Sequence, residues 1–311
     1  MNGKVLAFAG GVGGAKLALG LCRIVHPERL VICVNTGDDD SFHGLHVSPD
    51  LDTMMYTLAG LSDPDFGWGL HGDTFTALSM LKQYGADTWF NLGDRDFATH
   101  IRRTQLLGQG ATLSQVTQEL CRSLGVEHQV IPMSDDPLRT VLETHDGDLS
   151  MQDYFVRQRA QPVVNAVRYD GAQEAKPSPG LESALSDAEI IVFCPSNPFL
   201  SLGPILAVTG VADMLEKSTA KRIAVSPIVG GDSVKGPAGK IMAELGQEVS
   251  CVGVAKQYRN YCDVLVIDQQ DSDRASEIEE LGVTPVVEPI IMQTESEKVA
   301  LARTVIALGS D

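Results

Sequence analysis

The run Gly10-Gly11-Val12-Gly13-Gly14-Ala15-Lys16 follows an apolar stretch directly and opens a helix-like segment. Glycines there let backbone N–H groups approach an anion at a helix N-terminus, where the dipole favours negative charge. Neither common phosphate loop fits. Counted from Gly11, the dinucleotide pattern GxGxxG needs glycine where Lys16 stands, and the Walker pattern needs Gly-Lys-Ser/Thr where the chain has Ala-Lys-Leu. A ligand loop of another type is expected, with a plain βα turn as the competing reading.

The next group is Asn35-Thr36-Gly37-Asp38-Asp39-Asp40. Adjacent carboxylates repel unless they are solvated or held by a hard cation, and Mg²⁺ typically takes one or two of them together with water and substrate phosphate. An acidic surface turn, or a ribose-binding Asp38, would account for the run equally well. Ser48-Pro49-Asp50-Leu51-Asp52-Thr53 and the Gly72-Asp73-Thr74 segment behind Trp68 add aspartates that either cap helices or bind ligand. In residues 92–104, Arg95, Thr99 and Arg102 share one helical face, as an anion clamp would require. The alternative is a solvated face with Asp94–Arg95 and Asp96–His100 pairing.

Two further loops follow apolar runs in the second half. One carries Ser196, Asn197 and Pro198; the other carries Gly230, Gly231, Lys235, Gly236 and Gly239 and offers backbone donors and an ammonium group to phosphates. Three Gly/Ser/Pro-rich strand exits together favour a large ligand. His43 and His46 have no third ligand at zinc spacing, no GxSxG is present, and no cysteine lies in an electropositive loop.

These segments need a frame. Residues 5–8, 30–34, 190–193, 223–225 and 264–267 are continuously apolar rather than alternating, which is the pattern of a parallel sheet covered on both faces. The expected fold is α/β, a Rossmann-like three-layer sandwich with a mainly parallel sheet, forming a single domain over residues 1–311. Residues 92–160 are predicted as a mainly helical insertion, with a strand pair near 129–144 and a linker at 170–180. Thr112 with Gln115 and Thr294 with Glu297 predict capping boxes, and Gly282 predicts a helix stop.

With 24 Lys+Arg against 41 Asp+Glu, the net charge of -17 opposes binding to nucleic acid or anionic lipid. No apolar run reaches the ~18–20 residues of a membrane span. The N-terminal stretch lacks the pattern of an export signal and the six cysteines form no CxxC, so a cytoplasmic protein with reduced thiols is expected.

Taken in order, GGVGGAKL (10–17), NTGDD (35–39), SPDLDT (48–53), GDT (72–74), LGDRDFATH (92–100), PMSDDP (132–137), CPSNP (194–198), SPIVGG (226–231), VKGPAGK (234–240) and VGVAKQY (252–258) closely resemble the 2-phospho-L-lactate transferase family of coenzyme F420 biosynthesis. The resemblance implies a homodimeric enzyme that joins a GDP-activated phospho-acid to the deazaflavin Fo, requires Mg²⁺ and releases GMP. The acid would be phospholactate, phosphoenolpyruvate or 3-phosphoglycerate. It implies that Asp38, Asp39, Asp50 and Asp52 hold the cation or orient the attacking hydroxyl, with Asp38 and Asp39 as the metal ligands. Asp50 and Arg95 would serve the Fo site, and Asp73 and Thr74 would contact ligand. Residues 10–14, Lys16, Ser196, Asn197, Pro198 and residues 230–240 would take the donor phosphates and guanosine. A non-catalytic, sugar-nucleotide-binding regulator of the same superfamily is the alternative.

Overall fold

The computed structural model describes residues 3–309. The apolar runs form seven parallel strands: β1 (Lys4–Ala9), β2 (Leu30–Val34), β3 (Gln129–Pro132), β4 (Ala188–Phe193), β5 (Lys221–Val225), β6 (Val264–Ile267) and β7 (Thr284–Val287). Their order is β7-β6-β5-β4-β1-β2-β3. The chain runs outward from β1 through β2 to β3, then returns to the other side of β1 at β4, so the order reverses at the β1/β4 junction. Open α/β sheets place ligands at the carboxyl ends of such a junction.

Alternate residues of each strand feed opposite layers. Val5, Ala7, Ala9, Ile32 and Val34 pack under helices α1 (Gly11–Cys22), α2 (Pro49–Leu58), α5 (Leu113–Ser123) and α6 (Glu295–Leu308). Leu6, Phe8, Val31 and Cys33 pack on the other face, under Pro179–Asp187 and Cys251–Tyr258. This is the expected three-layer sandwich. Both capping boxes form, at Thr112/Gln115 and Thr294/Glu297, and Gly282 takes a left-handed φ of 80°.

Residues 92–160 do not form one helical insertion. They hold helices α4 (Asp94–Gly108) and α5, but Gln129–Pro132 pairs with β2 as the edge strand of the central sheet. Arg139–Thr144 instead joins Gly147–Ser150 and Val164–Asp170 in a separate antiparallel sheet. Four apolar-ended residues gave no sign of which partner they would take, because a short strand is claimed by whichever edge is nearest. Helix α3 (Thr76–Gln83) precedes α4. Among the described residues, no single helix is long and apolar enough to cross a membrane.

Candidate active site

At the β1/β4 junction the first glycine loop meets the 194–197 loop. Gly10 N–H donates to Ser196 Oγ at 3.1 Å, and that hydroxyl donates back to Gly10 O at 2.8 Å. Close approach explains the glycines better than phosphate wrapping does. A Cβ on Gly13 would lie 2.3 Å from Pro195 O, and one on Gly10 would lie 2.6 Å from Asp50 Oδ2. Gly11 alone faces open space, with φ of 62°.

The α2 N-terminus delivers Asp50 to this junction, where its Oδ1 accepts the Gly11 N–H at 2.7 Å. Asn35, at the end of β2, collects the acids. Its Nδ2 donates to Asp38 Oδ1 at 3.0 Å, to Asp50 Oδ2 at 2.9 Å and to Leu200 O at 3.2 Å, while its Oδ1 accepts Gly37 N–H. One amide hydrogen pair thus serves two carboxylates. Asp38, Asp39 and Asp50 are 4%, 2% and 8% exposed, so the run is no surface turn. Burial, then the charges of Asp50 and Asp39, push the Asp38 carboxyl well above the usual range. Burial raises Asp50 to about 6, against the opposing hydrogen bonds from Asn35 and Gly11.

Asp39 Oδ2 accepts the Ser48 hydroxyl at 2.7 Å and lies 3.0 Å from His46 Nε2, while its buried Oδ1 has no partner. Asp52 stands apart from the group expected of it. Both of its oxygens bind the fully buried Arg103 guanidinium, whose NH1 also lies 3.2 Å from His100 Nδ1. An even helical spacing cannot place Asp50 and Asp52 on one face, and α2 turns the second carboxylate towards α4.

Helix α4 forms no anion clamp. Arg102 binds Glu119 on α5, and the Tyr56 hydroxyl donates to Asp96 at 2.7 Å with the Thr99 hydroxyl 2.8 Å away. Among the described residues Arg95 has no carboxylate partner; its NH1 donates to His71 O at 3.1 Å. Asp96 and His100 do approach, at 3.3 Å, as the solvated-face reading expected, although His100 is buried.

Asp73 and Thr74 serve as helix ends. Asp73 accepts the backbone N–H groups of Arg95 and Asp96 at the start of α4, and Asp94 accepts those of Thr76 and Ala77 at the start of α3. Thr74 Oγ1 donates to Asp94 Oδ2 at 2.5 Å. The segment between α2 and α3 lies over the head of α1, where a Cβ on Gly67 would come within 2.6 Å of Val12. It exposes Phe66 and Trp68, whose rings are 5.4 Å apart.

The later loops split. Asn197 caps Pro198–Leu202 by accepting from Phe199 and Leu200, with Pro198 in the first turn, and its buried Nδ2 has no partner. Gly230 and Gly231 are the two central residues of a hairpin turn joining Ile228–Val229 to Asp232–Ser233, with φ of 58° and 82°. The Gly230 N–H is taken by Asp271, so it is no free phosphate donor. Lys235 Nζ donates to Phe66 O at 2.5 Å, and Gly236, with φ of 79°, faces open space. Lys16 sits near both Lys235 and Lys298; burial and then those two charges lower its pKa. These three lysines form one positive group, with Glu297 beside Lys16.

Among the described residues, no three His, Cys, Asp or Glu side chains form a ready metal cage. The buried, mutually repelling Asp38 and Asp50 carboxylates and the unpartnered Asp39 Oδ1 nonetheless suit a hard cation completed by water and substrate oxygens. Sequence reasoning missed Asn35 as organiser, Arg103 as the partner of Asp52, and Arg139 beside the acids. Asn35 was legible as the residue closing strand β2 before three aspartates; the two arginines had no local signature.

A family model described as 2-phospho-L-lactate transferase CofD matches residues 5–303. A curated phosphoenolpyruvate transferase from Kitasatospora aureofaciens is 39% identical over 313 residues, covering 98% of either chain. A 2-phospho-L-lactate transferase from Methanothermobacter thermautotrophicus is 39% identical over 299 residues, covering 96% of either chain. A crystal structure of a UPF0052 family member from Bacillus halodurans shares the fold, with a TM-score of 0.64 and 17% identity over 98% of this chain and 99% of that one.

Proposed function

The chain belongs to the 2-phospho-L-lactate transferase family, and from that premise we propose that it moves a phospho-acid group from a GDP-linked donor to a ribityl hydroxyl of Fo, releasing GMP. It is a transferase of coenzyme F420 biosynthesis; the regulatory alternative gains no support from relatives that carry transferase names. The donor, the acceptor and the cation are our reading.

The observation that carries this reading is the junction itself: buried Asp38 and Asp50 share the Asn35 amide, within one hydrogen bond of the Gly11 backbone. In the reaction, the hydroxyl oxygen attacks the phosphorus that bears the organic acid. The bond from that phosphorus to the bridging oxygen breaks, GMP leaves, and the hydroxyl proton passes to an acceptor. Such displacements depend on alignment and charge neutralisation. Asp38 and Asp50, with Asp39 Oδ1, would hold Mg²⁺, which when bound neutralises phosphate charge.

Lys16 and Lys235 offer charge to the guanylate phosphates, and Asn197 Nδ2 offers a buried donor. Phe66 and Trp68 present exposed rings to a flat deazaflavin, on the same segment as the His71 carbonyl that accepts from Arg95. A homodimer in the cytoplasm belongs to the same proposal, and sedimentation velocity checks the pairing. Purified protein given Fo, Mg²⁺ and each of the three GDP-linked acids in turn should yield GMP and a more anionic deazaflavin. No product from any of the three would overturn the reading.

A further inference from the structure

Next to the acid cluster lies a cleft of about 340 Å³, whose lining includes the acids Asp38, Asp39, Asp40 and Asp148 together with Arg139, Thr140 and Arg168. A second cleft, of about 400 Å³, abuts it and also includes Arg139. The two arginines differ. Arg168 is saturated, binding Glu143 at 3.0 Å, Asp148 at 2.7 Å and Asp170 at 2.8 Å. Arg139 donates to the neighbouring Leu138 carbonyl at 2.9 Å and, among the described residues, has no carboxylate within ion-pair distance. Its charge acts on Asp38 across the cleft without forming a salt bridge, so the fork of this half-buried guanidinium is left open to a ligand. Two buried oxygens on the same cleft walls also lack partners, Asp39 Oδ1 and Thr140 Oγ1. The strand that carries Arg139 is indexed to the acids by a 2.7 Å hydrogen bond from Thr140 N–H to Gly37 O.

We propose that Arg139 is a specificity-determining residue that receives the carboxylate of the phospho-acid on the donor, with the Thr140 hydroxyl donating to the same group. The inference rests on the function proposed above. Phospholactate and phosphoenolpyruvate both carry a carboxylate on the carbon bearing the phosphate oxygen, so the anion travels close to the phosphorus. Once the phosphorus stands at Asp38 and Asp50, the acid end needs a cation at that distance, and the planar fork of arginine matches a carboxylate in two hydrogen bonds. The lysine group near Lys16 then serves the guanylate end, and the two ends of the donor have separate positive partners.

The test uses the full chain as Arg139→Gln, Arg139→Lys and Thr140→Val, with turnover of the GDP-linked acids and direct titration with GDP alone. Charge-assisted hydrogen bonds are worth roughly 10- to 100-fold in binding, so Arg139→Gln should raise the donor KM by about that factor. The KM for Fo and the affinity for GDP should stay within about twofold. Arg139→Lys, which keeps the charge and loses the fork, should fall between, and it stands in for the glutamine variant if that does not fold. Thr140→Val should raise the donor KM by about 5- to 10-fold. A donor KM unchanged in active Arg139→Gln, or GDP and donor weakened equally, would overturn the assignment while the transferase reading stands. Wild-type protein inert towards every donor would remove both.

Discussion

The Gly11 backbone N–H donates to Asp50 Oδ1 at 2.7 Å, which ties the head of the first helix to a carboxylate of the second. The glycine loop and the acidic segment are therefore one site. A donor that a phosphate loop would offer to its ligand is already used to place an acid.

Removing that acid should separate chemistry from folding. Asp50→Ala is expected to lower turnover with Fo by at least about 100-fold, the scale of losing a proton-transfer or positioning carboxylate. Thermal unfolding should show a folded protein at pH 8, where removal of a buried charge offsets the acceptor that Asn35 and the Gly11 N–H lose. Steady-state kinetics beside circular dichroism decides it, and wild-type kinetics would refute the role.

The raised carboxyls give the pH dependence a definite sign. Burial lifts the Asp50 carboxyl to about 6 in the fold, above its ordinary value of 3.8, so its stabilising effect is complete below about 3.8 and is lost as pH rises through about 6. Asp38 shifts the same way. Asp38→Asn, which keeps the oxygen that accepts from Asn35, should match wild type in urea unfolding near pH 4. It should exceed it at pH 8 without divalent cations, where the wild-type carboxyl must ionise in the fold. A constant gap across pH would disprove this.

The same protons compete with a cation. Mg²⁺ dependence of the rate should weaken by about tenfold per unit once the pH falls below about 6, because the ligands must be deprotonated. Excess EDTA should abolish turnover at every pH, and activity surviving it would remove the role given to Asp38 and Asp50.

Arg103 and Asp52 carry stability, not chemistry. Arg103→Leu leaves Asp52 buried and unpaired and should cost about 3–5 kcal/mol, whereas Arg103→Leu with Asp52→Leu should recover most of that loss. Denaturant titration of the two variants is the check. A double variant as unstable as the single one would contradict the pairing.

Two glycines of one loop should respond differently. Gly13→Ala places a methyl 2.3 Å from the Pro195 carbonyl and should destabilise by several kcal/mol, since backbone cannot step aside. Gly11→Ala meets no atom and should cost only the left-handed strain, about 1–2 kcal/mol. Melting temperatures of the pair measure the contrast.

The sheet was readable because buried parallel strands need unbroken apolar runs, and five of the seven strands have them. β3 was misplaced, since its four residues fit either sheet and only three-dimensional proximity to β2 chose. The loops at the β1/β4 junction were legible from glycine and proline chemistry. Roles within them were not: Gly230 turns a hairpin, Asp73 starts a helix, and Asp52 is neutralised by an arginine 51 positions away. Spacing reports what a residue type is able to do, and long-range partners decide what it does.

Asp73 anchors the first turn of α4, and Asp94, at the start of α4, anchors the first turn of α3. Each helix is begun by the other's doorstep, so neither keeps its opening turn if its neighbour frays. The two helices are expected to order and melt as one cooperative block, exchanging their amide hydrogens in concert.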